Sequence, residues 1–389
     1  LAISLQQKRG IADIHHQMRF MAALEARGLL DRAVEALPTD AALAERQLRG
    51  EALTRAEIGV LLAYAKIALL TDLVATDVPD DPHLETDLVD YFPQDMQRRY
   101  AGEIASHRLR REIISRVVAN DLVNRGGPSF VSRMQDATGR SIGDVARTFV
   151  LVRDGFALPS LFAGIDALDT KIDGQIQLDL YQAVADLLFS ACAWYLKNDH
   201  SAEPIGARIA ELLAARKALE PQLPTLLPDY MKAGLAERTA QFVAAGTPAD
   251  LAARLALAGE ARAIPDIAQV ARSAGADIAA AAKAFFAVGE AFRLARIEDA
   301  ARAIVPTDYY DGMALTRAID TLGAAGRGIA VAALTANPSA ADPVAAWLAA
   351  GGERVARTRE RLQGLTESGE ISVSRLSVAA GLVHDLTTV

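Results

Sequence analysis

The sequence predicts an all-α protein: a multi-helix array in two helical units, with a duplicated helical hairpin as a further hypothesis. Three observations predict this class. Alanine is abundant and aromatic residues make up only 5% of the chain, a composition that favours helices over strands. We find no convincing strand of five residues with the period of two that is typical of a half-buried strand. Residues that start and stop helices recur along the whole chain.

Helix boundaries can be placed from local patterns. Thr54-Arg-Ala-Glu57 is a capping box, in which the Thr hydroxyl accepts from a backbone N–H and the Glu carboxylate reaches back to the cap. Ser141-Ile-Gly-Asp144 is a looser version of the same pattern. Glycines follow three helical stretches, where a left-handed residue ends a helix well: Gly139, Gly246 and Gly275. These patterns predict 15 to 20 helices.

The chain divides into two predicted helical domains, residues 1–200 and 201–389. The boundary is a polar break, residues 198–203, which follows a strongly apolar helix. Within the first domain we distinguish an N-terminal segment of two short helices from the more distinctive helices that follow it, residues 1–50 and 51–200.

Two blocks of the sequence resemble each other. Residues 139–158 and 275–294 align without gaps at an offset of 136. Each block has a glycine stop and then a capped helix with recurring phenylalanines, and each follows a helix that starts near a proline, Pro128 or Pro265. We interpret the pair as a duplicated helical hairpin. The alternative is that two amphipathic helices have converged on similar sequences.

Charge and composition narrow the classes of function. The 389 residues include 41 Lys and Arg against 49 Asp and Glu, a net charge of −8. An acidic chain disfavours phosphate binding and anionic membranes, so we expect no nucleic-acid and no membrane partner. The single Cys192 and the lack of a signal-peptide pattern at the first residues predict a cytoplasmic location. Because the first residue is Leu1, within a helical pattern, we expect an excised piece of a longer chain.

The most distinctive stretch is residues 107–130. Its apolar residues recur at helical spacing and predict a core-facing stripe, while Arg125 can reach Asp121 one turn away. Four of the arginines of this predicted helix, Arg108, Arg110, Arg111 and Arg125, suit a carboxylate-rich partner or an anion. The alternative is a hydrogen-bonded network that locks neighbouring helices together. The candidate inter-domain or anion contacts are Arg108, Arg110, Arg111, Asn120, Asp121, Asn124 and Arg125.

No pattern in the chain predicts catalysis, so we assign no catalytic, cofactor-binding or metal residues. The run Gly323-Ala-Ala-Gly326-Arg-Gly328 has the wrong order for a dinucleotide-binding loop and no preceding strand, which makes a helix junction the simpler interpretation. The six histidines form no HExxH motif. Cys192 lies in an apolar helix, which favours an inert core thiol over a nucleophile.

Several ordered motifs resemble one known family. They are Leu53–Ile67, Pro79-Asp-Asp-Pro82, Tyr91-Phe-Pro93, His107–Ile114 and Ala119–Phe130. Together they look like the C-terminal region of the large bacterial NAD-dependent glutamate dehydrogenases. The resemblance is strongest over residues 51–200 and continues to a closing helix around Leu376.

The resemblance implies a role within a much longer enzyme. In that family the full polypeptide oxidises L-glutamate with NAD and water to 2-oxoglutarate, ammonia and NADH, and its catalytic and nucleotide-binding residues lie upstream of this region. We therefore expect a non-catalytic C-terminal domain, structural, oligomerising or regulatory, with no cofactor of its own. The expected partners are the upstream catalytic domain and further copies in a homo-oligomer. The alternative is a stand-alone helical interaction or scaffold protein.

Overall fold

The computed structural model describes residues 1–201, 203–304, 309–367 and 369–387. Within these ranges it contains helices, turns and loops but no β-strand, which confirms the predicted all-α class. The helices number more than the 15 to 20 expected, because some of them, such as those at 101–105 and 223–226, comprise little more than one turn.

The helices follow one another in this order. The first thirteen are α1 Ala2–Arg9, α2 Ile14–Ala26, α3 Asp40–Leu48, α4 Arg55–Val74, α5 Glu85–Asp90, α6 Gln94–Arg99, α7 Ala101–Ala105, α8 Arg110–Gly126, α9 Phe130–Thr138, α10 Ile142–Gly155, α11 Leu158–Asp166, α12 Gly174–Asn198 and α13 Ile205–Leu219. The others are α14 Leu223–Leu226, α15 Asp229–Ala244, α16 Ala249–Ala261, α17 Ile264–Ala274, α18 Ile278–Ala291, α19 Leu294–Arg302, α20 Tyr309–Ala336, α21 Pro343–Ala350, α22 Gly352–Glu367 and α23 Val373–His384.

Contacts divide the chain into two compact units. The first comprises residues 1–213 and 238–262, and the second comprises residues 214–237 and 263–389. In the first unit α10 is buried over most of its length and packs against α8, α9, α11 and α12. In the second unit the long helix α20 packs against α17, α18, α19, α21 and α23. The predicted break at residues 198–203 falls between α12 and α13, and the predicted domain boundary there stays a prediction.

Local helix signals are present where the sequence placed them. The Thr54 hydroxyl accepts from the N–H of Glu57, whose carboxylate accepts from the N–H of Thr54, a complete capping box. Ser141 and Asp144 form a second complete box. Residues 1–50, in contrast, contain three helices rather than two, because α1 ends at its C-cap Gly10 (φ 54°) and α2 begins separately at Ile14.

The two similar sequence blocks have the same local structure at the same offset. The helices α10 and α18 both have 14 residues, and α11 and α19 both have nine. Left-handed residues precede α11 and α19 at equivalent positions, Ala157 (φ 50°) and Arg293 (φ 57°). A non-glycine residue in this conformation is uncommon. Its recurrence at both sites therefore supports the duplication more strongly than the residue matches alone.

The helix pair α10 and α11 is among the most apolar parts of the chain. Within the described residues no single helix is long and apolar enough to cross a membrane, and these two meet that criterion only as a pair bent by 67°. Most of α10 is buried inside the first unit. Cys192 on α12 is also fully buried, and burial raises the pKa of its thiol.

Candidate functional site

A cleft of about 760 Å³ opens in the first unit, between α5, α8, α10 and α11. Four of the seven predicted contact residues line it: Asn120, Asp121, Asn124 and Arg125. They lie on the last two turns of α8, next to the buried stripe of Ile114, Val118 and Leu122 that fixes the orientation of this helix. The sequence therefore located one wall of the cleft.

Arg153 on α10 forms the charged centre of the cleft. The residue is 8% exposed, and its guanidinium lies among three carboxylates. Its Nη2 donates to Oδ2 of Asp87 at 3.0 Å, and its Nε donates to Oδ1 of Asp154 at 2.7 Å. Its Nη1 lies 3.5 Å from Oδ2 of Asp121. One buried cation thereby connects side chains of α5, α8 and α10.

Asp154 extends this network to His83. The Nε2 atom of His83 lies 2.8 Å from Oδ2 of Asp154. Burial opposes ionisation of Asp154, but the hydrogen bonds and the charge of Arg153, together with His83, outweigh it and lower its pKa. Burial opposes the charge of Arg153, but the carboxylates of Asp154 and Asp87 outweigh it and raise the pKa of this guanidinium. The site is therefore charged and internally compensated.

Asp121 differs from Asp154. Burial is the largest influence on Asp121 and raises its pKa, although Arg153 and Arg125 act in the opposite direction. The predicted contact between Arg125 and Asp121 is confirmed as an ion pair of 3.6 Å. Both of its ion-pair distances are longer than a good charge-assisted hydrogen bond. Asp121 is thus the least stabilised carboxylate of this network.

Aromatic rings form the opposite wall. The Arg125 guanidinium lies over the ring of Phe162 on α11, 3.9 Å from its centroid. Phe162 in turn stacks on Tyr181 of α12, whose hydroxyl donates to Asp166. This stack holds Arg125 in a fixed orientation at the edge of the cleft, with a cation–π contribution.

The cleft also presents polar groups that the protein does not use. Arg116, Asn120 and Asn124 follow each other at one-turn intervals on α8 and line the cleft. Among the described residues none of these three side chains has a hydrogen-bond or ion-pair partner. They are the groups of this site that are available to another molecule.

The other three predicted residues lie outside the cleft. Arg108 is exposed and precedes α8, so the four arginines do not share one helix as expected. Arg111 donates through Nη2 to the carbonyls of Val74 (3.0 Å) and Thr76 (2.7 Å) and pairs with Asp80. It therefore caps the end of α4. The Nε atom of Arg110 is buried without a partner among the described residues.

Sequence reasoning missed Arg153, Asp154, Asp87 and His83. A signal was available for the first two, because Arg153-Asp154 interrupts an otherwise apolar run on α10, and a charged pair in a buried helix must be compensated. No local signal indicates that α5 supplies Asp87, which is 66 residues away in the chain.

The glycine run at 323–328 does not fit a nucleotide phosphate. It lies inside the continuous helix α20, not at the predicted junction, so its N–H groups belong to a helix interior. A Cβ at Gly326 would lie 2.7 Å from Leu294 Cδ1, and one at Gly328 would lie 3.2 Å from Thr387. These glycines permit close helix packing. The described residues also hold no group of three or more His, Cys, Asp or Glu side chains placed to share a metal ion.

The two aspartates of the Arg153 network are expected to respond in opposite ways to neutralisation. A lowered pKa means that the fold favours the ionised form of Asp154, so its stabilisation is present at neutral pH and is lost as the pH falls through its folded pKa. A raised pKa means that ionised Asp121 reduces stability as the pH rises through that pKa. We expect Asp154→Asn to lose about 2 kcal/mol of unfolding free energy at pH 7, and Asp121→Asn to lose none.

Urea unfolding of both variants at pH 7 and at pH 3 checks this expectation. The deficit of Asp154→Asn should shrink at the lower pH, because the unfolded chain takes up a proton at this carboxyl more readily than the folded protein does. A larger loss for Asp121→Asn than for Asp154→Asn at pH 7 would contradict the assignment.

The chain is similar to one protein family and to several known proteins. Residues 50–385 match the family described as "Glutamate dehydrogenase, C-terminal". The chain is 39% identical to the NAD-specific glutamate dehydrogenase of Pseudomonas aeruginosa over 293 aligned residues, which make up 75% of this chain and 18% of that protein. It is 36% identical to the protein of the same name from Halomonas elongata over 277 aligned residues, which make up 71% of this chain and 17% of that protein.

A third relative aligns with nearly the whole chain. The NAD-specific glutamate dehydrogenase of Mycobacterium tuberculosis is 29% identical over 377 residues, which cover 96% of this chain and 23% of that protein. The chain thus spans about a fifth of the length of the relatives it matches. Since the family match extends over most of the 389 residues and includes the α5, α8, α10 and α11 segments of the cleft, this chain belongs to the glutamate dehydrogenase C-terminal family.

Proposed function

We propose that this chain is the non-catalytic C-terminal region of a large NAD-dependent glutamate dehydrogenase. The full polypeptide would convert L-glutamate, NAD and water to 2-oxoglutarate, ammonia and NADH, with NAD bound outside this segment. The family match over residues 50–385 carries the proposal. The shared name of the three relatives, each about four to six times longer than the part it shares with this chain, supports it.

The proposed role of the segment is structural: it braces the upstream catalytic part and contributes to a homo-oligomer. The ion pairs of the cleft support this role, because Arg153 uses most of its donors to connect three helices of the first unit rather than to face solvent. Arg111 similarly connects α8 to the end of α4. Side chains engaged in this way stabilise a scaffold.

The size and activity of the native protein test this proposal. We would blot source cells with an antibody to the 389-residue chain, purify the band, and assay glutamate-dependent NAD reduction. We expect a band far above 41.3 kDa that reduces NAD, while the 389-residue chain alone is inactive. A band near 41.3 kDa without activity would instead favour the stand-alone scaffold protein.

Arginine substitutions in the full-length polypeptide test the bracing role. We expect replacement of Arg108, Arg110 and Arg111 by Ala to weaken assembly or turnover by about tenfold, the effect of losing contacts worth about 1.4 kcal/mol. Oligomer mass by analytical ultracentrifugation and the turnover number would be measured on the same preparation. Unchanged mass and turnover would remove this role from the three arginines. Arg354→Ala, an exposed arginine in another helix, serves as the control.

A further inference from the structure

The stretch from Pro93 to Leu109 is hardly covered by the rest of the protein. All of its residues are described, and Ile104 alone among them is buried. Its two helices, α6 and α7, have six and five residues. Helices this short do not persist in water without tertiary contacts, since nucleation costs more than a few hydrogen bonds return. A short helical segment with so little burial gains most from a partner surface.

This stretch, together with Tyr91 just before it, exposes large apolar side chains. Tyr91 is 48% exposed, Met96 40%, Tyr100 46% and Leu109 54%. They are four of the fourteen exposed large apolar side chains among the described residues, yet they lie within 19 consecutive residues. Exposed large apolar side chains grouped in this way suit an interaction site, whereas singly scattered ones are normal on a protein surface. Tyrosine and methionine are also enriched at the centres of protein interfaces.

Unpaired arginines accompany these apolar side chains. Arg99, Arg108 and Arg116 are exposed, and within the described part of the chain none has an ion-pair or hydrogen-bond partner. Residues 91–116 contain six arginines against three carboxylates, in a chain whose net charge is −8. A guanidinium group pairs best with a carboxylate, which it can bind through two parallel hydrogen bonds. The complementary surface is therefore acidic around an apolar centre.

We infer that residues 91–116 form a docking surface for an acidic protein surface on the upstream part of the same polypeptide. This inference rests on the function proposed above. The relatives are more than four times longer than the region they share with this chain, so in such a polypeptide most of the protein lies outside it. The surface is continuous with the cleft, because Tyr91 and Arg116 also line the cleft. The upstream surface covers both the apolar side chains and the unused groups of α8.

Site-specific photocrosslinking in the full-length polypeptide tests this inference. Tyr100 is replaced by p-benzoylphenylalanine, and in a parallel protein the same probe replaces Val378, which is 55% exposed on α23. After irradiation, we expect the probe at position 100 to join peptides upstream of this region within one polypeptide, at sites rich in Asp and Glu. Mixing ¹⁵N-labelled and unlabelled protein before irradiation separates links within one polypeptide from links between two copies.

A charge-reversal pair makes the test specific. We expect Arg99→Glu with Arg108→Glu to lower the crosslink yield about fivefold, the effect of losing two ion pairs at an interface rim. Arg354→Glu with Arg361→Glu, at exposed arginines of α22, should leave the yield unchanged. Links only between copies, or a yield at position 100 no greater than at position 378, would overturn the inference. The proposed function is tested by a separate experiment, and it is contradicted if the native polypeptide is short or does not reduce NAD.

Discussion

Replacement of Arg153 by Met should unfold the first unit at markedly lower denaturant concentration. The substitution keeps the volume of the aliphatic stem but leaves Asp87, Asp121 and Asp154 close together without their shared buried cation. Removing one partner of a buried ion pair costs about 3–5 kcal/mol, because the remaining charge is neither solvated nor paired. For a unit of this size, such a loss lowers the melting temperature by about 10 °C.

Two further variants separate charge from geometry. Arg153→Lys keeps the positive charge but cannot donate to Asp87 and Asp154 in the same fork, so we expect a loss between wild type and Arg153→Met. Arg98→Met removes an exposed pair with Asp95, whose side chains are 75% and 85% exposed, and should cost less than about 0.5 kcal/mol. If urea unfolding gave similar losses for Arg153→Met and Arg98→Met, the Arg153 network would not stabilise the unit.

Replacement of Phe130 by Ala should destabilise the first unit by about 3–5 kcal/mol, the usual cost of removing a buried ring. Phe130 is 1% exposed and contacts the rings of Phe149 and Phe189 edge to face, with centroids 6.5 and 5.9 Å away. The cavity left behind adds to the lost transfer free energy, since α9, α10 and α12 all contribute to this packing. Leu48→Ala, at a side chain that is 89% exposed, is the control and should change stability by less than about 0.5 kcal/mol.

Gly126 provides a coupled test of the same contact. A Cβ at Gly126 would lie 2.6 Å from the Phe130 ring, closer than real side chains approach. The ring cannot move away easily because Phe149 and Phe189 hold its other edges. Gly126→Ala should therefore be destabilising in the wild type and less so in the Phe130→Ala background, where the ring contacts are removed and only the contact with the Cβ of residue 130, at 2.8 Å, remains. Additive losses in urea unfolding would show that the ring does not limit position 126.

Much of the local structure could be predicted from the sequence. The capping boxes at Thr54 and Ser141 and the stops at Gly139 and Gly275 are all present. The matched blocks predicted a common unit, and the structure adds a left-handed residue at equivalent places in both. These features depend on residues within about four positions of each other, and for that reason they can be predicted from a single sequence.

Only part of the candidate site could be predicted from the sequence. The sequence singled out Asn120, Asp121, Asn124 and Arg125 because they flank a core stripe on one helix. It grouped them with Arg108, Arg110 and Arg111, which the structure places away from the cleft. The reason is that a pattern along α8 specifies which face a residue occupies but not which helices approach that face.

The sequence by itself determined the all-α class, the family resemblance, the helix caps and the repeated block. Tertiary structure alone decided that Asp87 and Arg153, 66 residues apart, share a buried ion pair and that α5, α10 and α11 close a cleft against α8. The physical reason is the distance along the chain over which the interactions act. Helix periodicity and capping arise from hydrogen bonds between near neighbours, whereas the cleft arises from packing between helices that are distant in the chain.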